Sequence, residues 1–233
     1  MVKINHAYDN ETINSTNFFA RYAHRKRIGK CLKLVGPRLE LGKILDYGCG
    51  SGVFVSKLNK IKSDFIYGYE PFMTERYEND LPIYEKFDDI IKFGPYKTIT
   101  IFEVLEHLQW TELAKILLQC DEILSPGGII IISVPIEIGP AILLKEINRF
   151  RITKKWGYNF FEFIGSFIFG VRGWRNNPDY DYMEHKGFDF RELIRFIESK
   201  GWMVKIAGYG PLPIKYWYGN SQVYMMVKRN DKP

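Results

Sequence analysis

Apolar positions along this 233-residue chain follow two rhythms. Short unbroken runs occur in KILDYGCGSG, in FIYGYE at Phe65–Glu70, in TITIFE at Thr98–Glu103 and at Ile129–Val134. These predict strands, with Ile83–Tyr84 as a weaker one. Between them lie segments with helical spacing: Asn17 to about Val35, Val53 to about Lys60, and Thr111–Leu124. Gly36-Pro37 and Ser125-Pro126-Gly127-Gly128 mark helix ends. Ile129–Val134 is almost all isoleucine and valine, which suits a central parallel strand covered on both faces. Strands alternating with helices imply right-handed crossovers and one open α/β sheet.

After Pro135 the rhythm breaks, and residues 136–184 read as an inserted cap. It resumes with a helix at Arg191–Lys200 and strands at Trp202–Ala207 and Gln222–Lys228. A Gly/Pro-rich stretch joins those two strands and makes them an antiparallel pair. Residues 1–16 form a polar lead-in. The expected organisation is a single domain over 1–233 that carries the cap.

Composition narrows the setting. Apolar residues make up 46% of the chain, enough for a full core. Cys31, Cys49 and Cys120 have no paired spacing, so neither a disulfide framework nor a zinc knuckle is expected. The amino terminus lacks the apolar stretch of a signal peptide, and no run is long enough to span a bilayer. The expectation is a cytoplasmic protein, with membrane association left open. The net charge of +6 favours an anionic partner.

The chemistry concentrates where the first strand ends. In Asp46-Tyr47-Gly48-Cys49-Gly50-Ser51-Gly52, glycines recur at every second position. Such a turn, opening a helix after a strand, lies where open α/β sheets bind ligands. Val53 stands where a dinucleotide fingerprint would have its last glycine. Glu70 ends the next strand, beside this turn, where a carboxylate can accept hydrogen bonds from both hydroxyls of a ribose.

D-x-G-x-G-x-G resembles the first motif of class I S-adenosylmethionine-dependent methyltransferases. IFEVLEHL at Ile101–Leu108 is similar to the fourth-strand motif of a subgroup that includes ubiquinone-biosynthesis and sugar O-methyltransferases. SPGGIIIISVP at Ser125–Pro135 is similar to the family's loop and fifth strand. The resemblance covers about residues 17–135, and 185–228 weakly. It implies a Rossmann-like sheet, mostly parallel with one antiparallel strand, and helices on both faces. It implies S-adenosylmethionine as cofactor. Asp46, Gly48, Gly50 and Gly52 would hold its methionine and ribose parts, with Asp46 meeting the amino group. Glu70 would hold the ribose and Phe87 and Asp88 (Asp89 competing) the adenine, and Phe102 and Glu103 are further cofactor-binding candidates.

Methyl transfer is largely positioning, and a hydroxyl acceptor benefits from a base. His107, just past the fourth strand, and His185, after the insertion, are the candidates; each also has a plain structural reading. His6 and His24 read as structural or exposed. If Glu103–His107 forms a helical turn, Glu103, Glu106 and His107 share a face. With His185 they would form a divalent-metal set. Small-RNA 2′-O-methyltransferases show a similar Glu-x-x-Glu-His.

The insertion accounts for much of the aromatic content. Between Ala141 and Arg175 there are seven basic residues, two acidic ones and nine aromatics, including Trp156, Phe160, Phe161, Phe163, Phe167, Phe169 and Trp174. That mixture suits a lid over an acceptor, an interfacial membrane contact through 141–175, or a cap packed on the sheet. The expected function is O-methylation of a small-molecule, sugar/glycan or lipid-linked acceptor. A metal-dependent RNA 2′-O-methyltransferase and a non-catalytic cofactor-binding subunit are the rivals.

Overall fold

The computed structural model describes residues 18–73, 76–173 and 186–230. The elements run α1 (Phe18–Val35), β1 (Ile44–Tyr47), α2 (Val53–Asn59), β2 (Ile66–Tyr69), β3 (Ile83–Tyr84), α3 (Phe87–Phe93) and β4 (Tyr96–Phe102). They continue with α4 (Trp110–Ile123), β5 (Leu124–Pro135), α5 (Ala141–Thr153), α6 (Phe160–Phe169), α7 (Phe190–Ser199), β6 (Trp202–Gly210) and β7 (Gln222–Arg229).

One seven-stranded sheet has the order β3-β2-β1-β4-β5-β7-β6. Strands β1 to β5 pair in parallel, and β7 runs antiparallel to both neighbours. The single reversed strand and the crossovers match the expected architecture. The order reverses at β1, so the carboxyl ends of β1 and β4 diverge there and leave a crevice.

Period-two alternation sends side chains to two cores. Leu45, Ile99, Ile101, Ile130 and Ile132 face one layer with Ile90 of α3, Leu113 and Leu117 of α4 and Leu193 of α7. Ile44, Ile66, Ile83, Ile129 and Ile131 face the other with Cys31 and Val35 of α1 and Phe54 and Leu58 of α2. Helices therefore cover both faces. Each fully buried Leu or Ile contributes about 1.5–3 kcal/mol, which fixes the register of the strands that end at the crevice.

Two features extend the sequence reading. Residues after β3 form α3, one short helix held by fully buried Ile90, whose carbonyl accepts a 2.9 Å bond from Tyr96 Oη. The stretch Ser125–Gly128, read as a helix stop, lies within β5, which begins at Leu124 opposite Tyr96 with a register shift before Thr98. The insertion contains α5 and α6. Trp217, in the β6–β7 loop, props them: a Cβ on Gly139 or Gly170 would stand 2.8 or 2.9 Å from its ring. Arg191 of α7 packs over the same ring and donates to the Gly170 carbonyl at 2.7 Å.

Candidate functional site

The glycine turn leaves β1 and enters α2, and its glycines have different duties. All three have positive φ: 74° at Gly48, 55° at Gly50 and 93° at Gly52. A Cβ on Gly48 would lie 2.5 Å from Val104 Cγ2, and one on Gly52 only 2.3 Å from Ile83 Cδ1. Those two let the β3 and β4 ends close on the turn. A Cβ on Gly50 would meet nothing within 4 Å, so its face is open toward the crevice. Gly68, inside β2, is close-packed too: its Cβ would stand 2.8 Å from Cys49 Sγ.

Glu70, at the end of β2, is buried beside the turn. Its Oε2 accepts from Gly50 N–H at 3.0 Å and its Oε1 from Phe72 N–H at 3.2 Å. Each carboxylate oxygen can accept two hydrogen bonds and here receives one, so each keeps one acceptor position for a ligand hydroxyl. Burial raises the Glu70 pKa, and these two backbone donors oppose the shift. Asp46 is buried and its Oδ1 accepts from Thr100 Oγ1 at 2.6 Å. Burial pushes its pKa up to about 7; the Thr100 bond opposes this and the Glu70 charge adds to it. A buried carboxylate held this high lacks a cation, which an incoming ammonium would supply.

The loop after β2 straps the turn, with Tyr77 N–H donating to Ser51 O at 2.8 Å and Ser56 Oγ to Glu78 Oε2 at 3.1 Å. Phe87 and Asp88 open α3 just past β3. Phe87 is half-buried, edge-on to Tyr69, while Asp88 is exposed. Asp89 pairs with Lys92 at 2.7 Å on the surface of α3. Phe102 packs edge-on against Phe54 at 5.0 Å, supporting the turn from below.

The end of β4 departs from expectation. Glu103 has φ +56°, and the turn that follows is a 3-10 turn over Leu105–His107, not a helical turn from Glu103. Glu103, Glu106 and His107 therefore do not share one helical face. Glu103 instead ties three elements together. It accepts from Arg27 of α1 at 2.9 Å, from Ser133 Oγ of β5 at 3.0 Å and from Gln222 Nε2 of β7. Among the described residues no group of three His, Cys, Asp or Glu side chains stands close enough to hold a metal ion. His6, Trp174 and His185 lie outside the described residues.

Glu106 has a fully buried side chain, and neither carboxylate oxygen has a hydrogen-bond partner. Burial, then the Glu103 charge, hold its pKa well above the usual carboxylate range. His107 Nε2 stands 4.0 Å from Glu106 Oε1, and this imidazole is about one-third exposed. Glu137 and Tyr158 bring more polar groups toward this end, and Tyr158 Oη is buried without a partner. A cavity of about 450 Å³ opens beside the turn, lined by Leu105, Leu108, Val171, Arg172 and Asp189. Neither the glycine turn nor Glu70 lines it.

Sequence reasoning missed Thr100, Ser133, Arg27 and Gln222. Thr100 was within reach, because it sits directly opposite Asp46 in the β1–β4 ladder. The Glu103 partners come from distant segments, and no local pattern announces them.

A family model described as a methyltransferase domain matches residues 19–169. No curated protein sequence matches the chain. Solved structures share its fold. The magnesium protoporphyrin IX methyltransferase of Synechocystis PCC 6803, with bound SAH, is 14% identical, with 92% of this chain and 88% of that one covered at a TM-score of 0.54. The methyltransferase domain of bacterial CtHen1-CN is 20% identical, with 88% and 98% covered and a TM-score of 0.53. A SAM-dependent methyltransferase from Archaeoglobus fulgidus is 15% identical, with 91% and 100% covered and a TM-score of 0.53.

Proposed function

The chain belongs to the methyltransferase domain family, and from that premise we propose that it is an S-adenosylmethionine-dependent O-methyltransferase acting on a hydroxyl of a sugar, glycan or lipid-linked acceptor. The observation that carries the acceptor reading is the 3-10 turn after β4. It sets the His107 imidazole beside a buried, unpartnered Glu106 carboxyl at the crevice end of the sheet.

The residues present fit the donor. Gly50 leaves an open face for close approach, Glu70 retains acceptor capacity for two ribose hydroxyls, and Asp46 lacks the cation that the methionine ammonium would bring. Phe87 and Asp88 would flank the adenine. When bound, the sulfonium supplies an activated methyl and a neutral thioether leaving group.

His107 would take the proton of an acceptor hydroxyl held in the crevice, leaving that oxygen ready for the methyl that the bound donor supplies. Glu106 stands 4.0 Å from the imidazole and, in its ionised form, would stabilise the charge that forms there. Glu103, held by Arg27, Ser133 and Gln222, fixes where this turn begins and acts as a positioning residue. That engagement argues against Glu103 as a ligand in a metal-dependent RNA reaction. His185 retains its sequence-based role as a second candidate base.

Titration with S-adenosylhomocysteine tests the donor, and absence of binding by folded protein would end that assignment. Product formation over a panel of hydroxylated acceptors tests the reaction. The expected outcome for His107→Ala is a kcat lower by about 10²–10⁴-fold, with S-adenosylhomocysteine affinity unchanged. Loss of donor affinity in that variant would make His107 a donor contact and not the base, while turnover abolished by a chelator and by His185→Ala would favour the RNA-type reading.

A further inference from the structure

The cap exposes an apolar face with no partner among the described residues. On α6, Phe161, Gly165 and Ile168 lie at i, i+4 and i+7, one side of the helix. Phe161 is 85% exposed, Phe160 and Phe169 are each 73% exposed, and a Cβ on Gly165 would meet nothing within 4 Å. Trp156 adds a further exposed ring just before the helix. The β6–β7 loop extends the surface. Tyr218 Oη donates to the carbonyls of Phe167 and Ile168 at 3.3 and 3.2 Å, which fixes that loop against the end of α6. Leu212, Ile214 and Tyr216 in the loop are exposed as well. Scattered exposed apolar residues need no explanation, but a contiguous aromatic surface does.

The exposed charge carried by these two segments has one sign. The acids of the described cap, Glu137, Glu146 and Glu162, all turn inward. Glu146 takes Arg149 at 2.6 Å and Gly157 N–H at 2.7 Å; Glu162 takes Lys186 at 2.9 Å; Glu137 takes Lys145. The loop 210–220 contains no acid. The exposed charged residues of these two segments are Arg151, Lys154, Lys155, Arg172 and Lys215, all basic; of these Arg172 is paired with Glu192 of α7 at 2.7 Å, which leaves the rim to the other four.

An aromatic face rimmed by cations matches the boundary of an anionic bilayer: rings enter the headgroup region and lysines meet lipid phosphates. A second copy of the chain would bring the same positive rim against itself, which like-charge repulsion disfavours. We propose that the outer face of α6, with the adjoining β6–β7 loop, docks on the surface of an anionic phospholipid membrane. No helix among the described residues is long and apolar enough to cross one, so the contact is peripheral. The docking stands independently of the acceptor assigned above.

The test is co-sedimentation of the full chain with phosphatidylcholine vesicles, with and without roughly one-third phosphatidylglycerol. Binding should appear with the anionic vesicles and fall as salt is raised. Phe161→Ser with Phe160→Ser should weaken it on the order of tenfold. Both side chains are exposed, so circular dichroism should stay unchanged in that variant. Lys154→Glu with Lys155→Glu should weaken binding to the anionic vesicles specifically. No sedimentation of wild-type protein overturns the proposal. So does equal binding to neutral vesicles, or sedimentation untouched by the phenylalanine changes. Self-association in the ultracentrifuge that Phe161→Ser abolishes, without vesicle binding, would assign the face to a second copy.

Discussion

Asp46 shows how one side chain sets a condition for binding. Its folded-state pKa is pushed up to about 7, above the ordinary value of 3.8 that an unfolded chain has. The folded, ligand-free protein therefore holds this proton more tightly than the unfolded chain. That contribution to stability is complete below the ordinary carboxylate range, is lost as pH rises and levels off above about 7. An ammonium ligand has the opposite requirement, because it needs the ionised form. S-adenosylhomocysteine should bind about tenfold more weakly near pH ~6 than near pH ~8. Titration calorimetry at the two pH values checks this, and Asp46→Asn should shrink the slope as well as the affinity. A flat wild-type profile would remove the ammonium from Asp46.

At the scale of elements, the glycine turn separates packing from binding. Gly52→Ala meets Ile83 Cδ1 and a φ of 93°, and should cost about 2–3 kcal/mol of stability. Gly50→Ala meets only the left-handed backbone penalty, about 1 kcal/mol, yet should lose donor affinity because its open face would be filled. Ile83→Val removes the clashing methyl, so it should cost less beside Gly52→Ala than alone, with a coupling of about 1 kcal/mol. Urea unfolding of the four combinations gives that cycle; purely additive values would mean that β3 does not close on the turn. The D-x-G-x-G-x-G spacing exposed this turn in the sequence, and continuous apolar runs gave β1, β2, β4 and β5. Helix α3 was hidden because Phe87–Phe93 has seven residues and one fully buried anchor, Ile90. The geometry after β4 was hidden because Glu103 takes positive φ to reach Arg27, Ser133 and Gln222, partners 76, 30 and 119 residues away. Composition marked the cap as aromatic and basic, but not which rings face inward: Tyr158 is buried while Phe161 is 85% exposed.

Across the whole molecule, the proposed donor site belongs to no single segment. Asp46 lies next to the end of β1, Glu70 follows β2, Phe87 follows β3, and Thr100 reaches Asp46 from β4, so the proposed site exists only when four strands are in register. Glu103 then links β4 to α1, β5 and β7, which extends the dependence to both ends of the described chain. A ligand that requires this assembly binds the folded state alone, and its binding energy adds to folding stability. S-adenosylhomocysteine at about 100 times its Kd should stabilise the protein by about 2.7 kcal/mol. For a domain of this size that corresponds to roughly 5–10 °C in Tm. Arg27→Ala should lower the ligand-free Tm by removing the partner of a largely buried carboxylate, a loss of about 2–3 kcal/mol. The ligand-induced shift should survive in that variant if Glu103 only positions the turn, and diminish if Glu103 itself contacts the donor. Thermal unfolding of both proteins with and without the ligand separates the two roles. A wild-type protein that unfolds cooperatively but shows no shift would not hold the donor at this site.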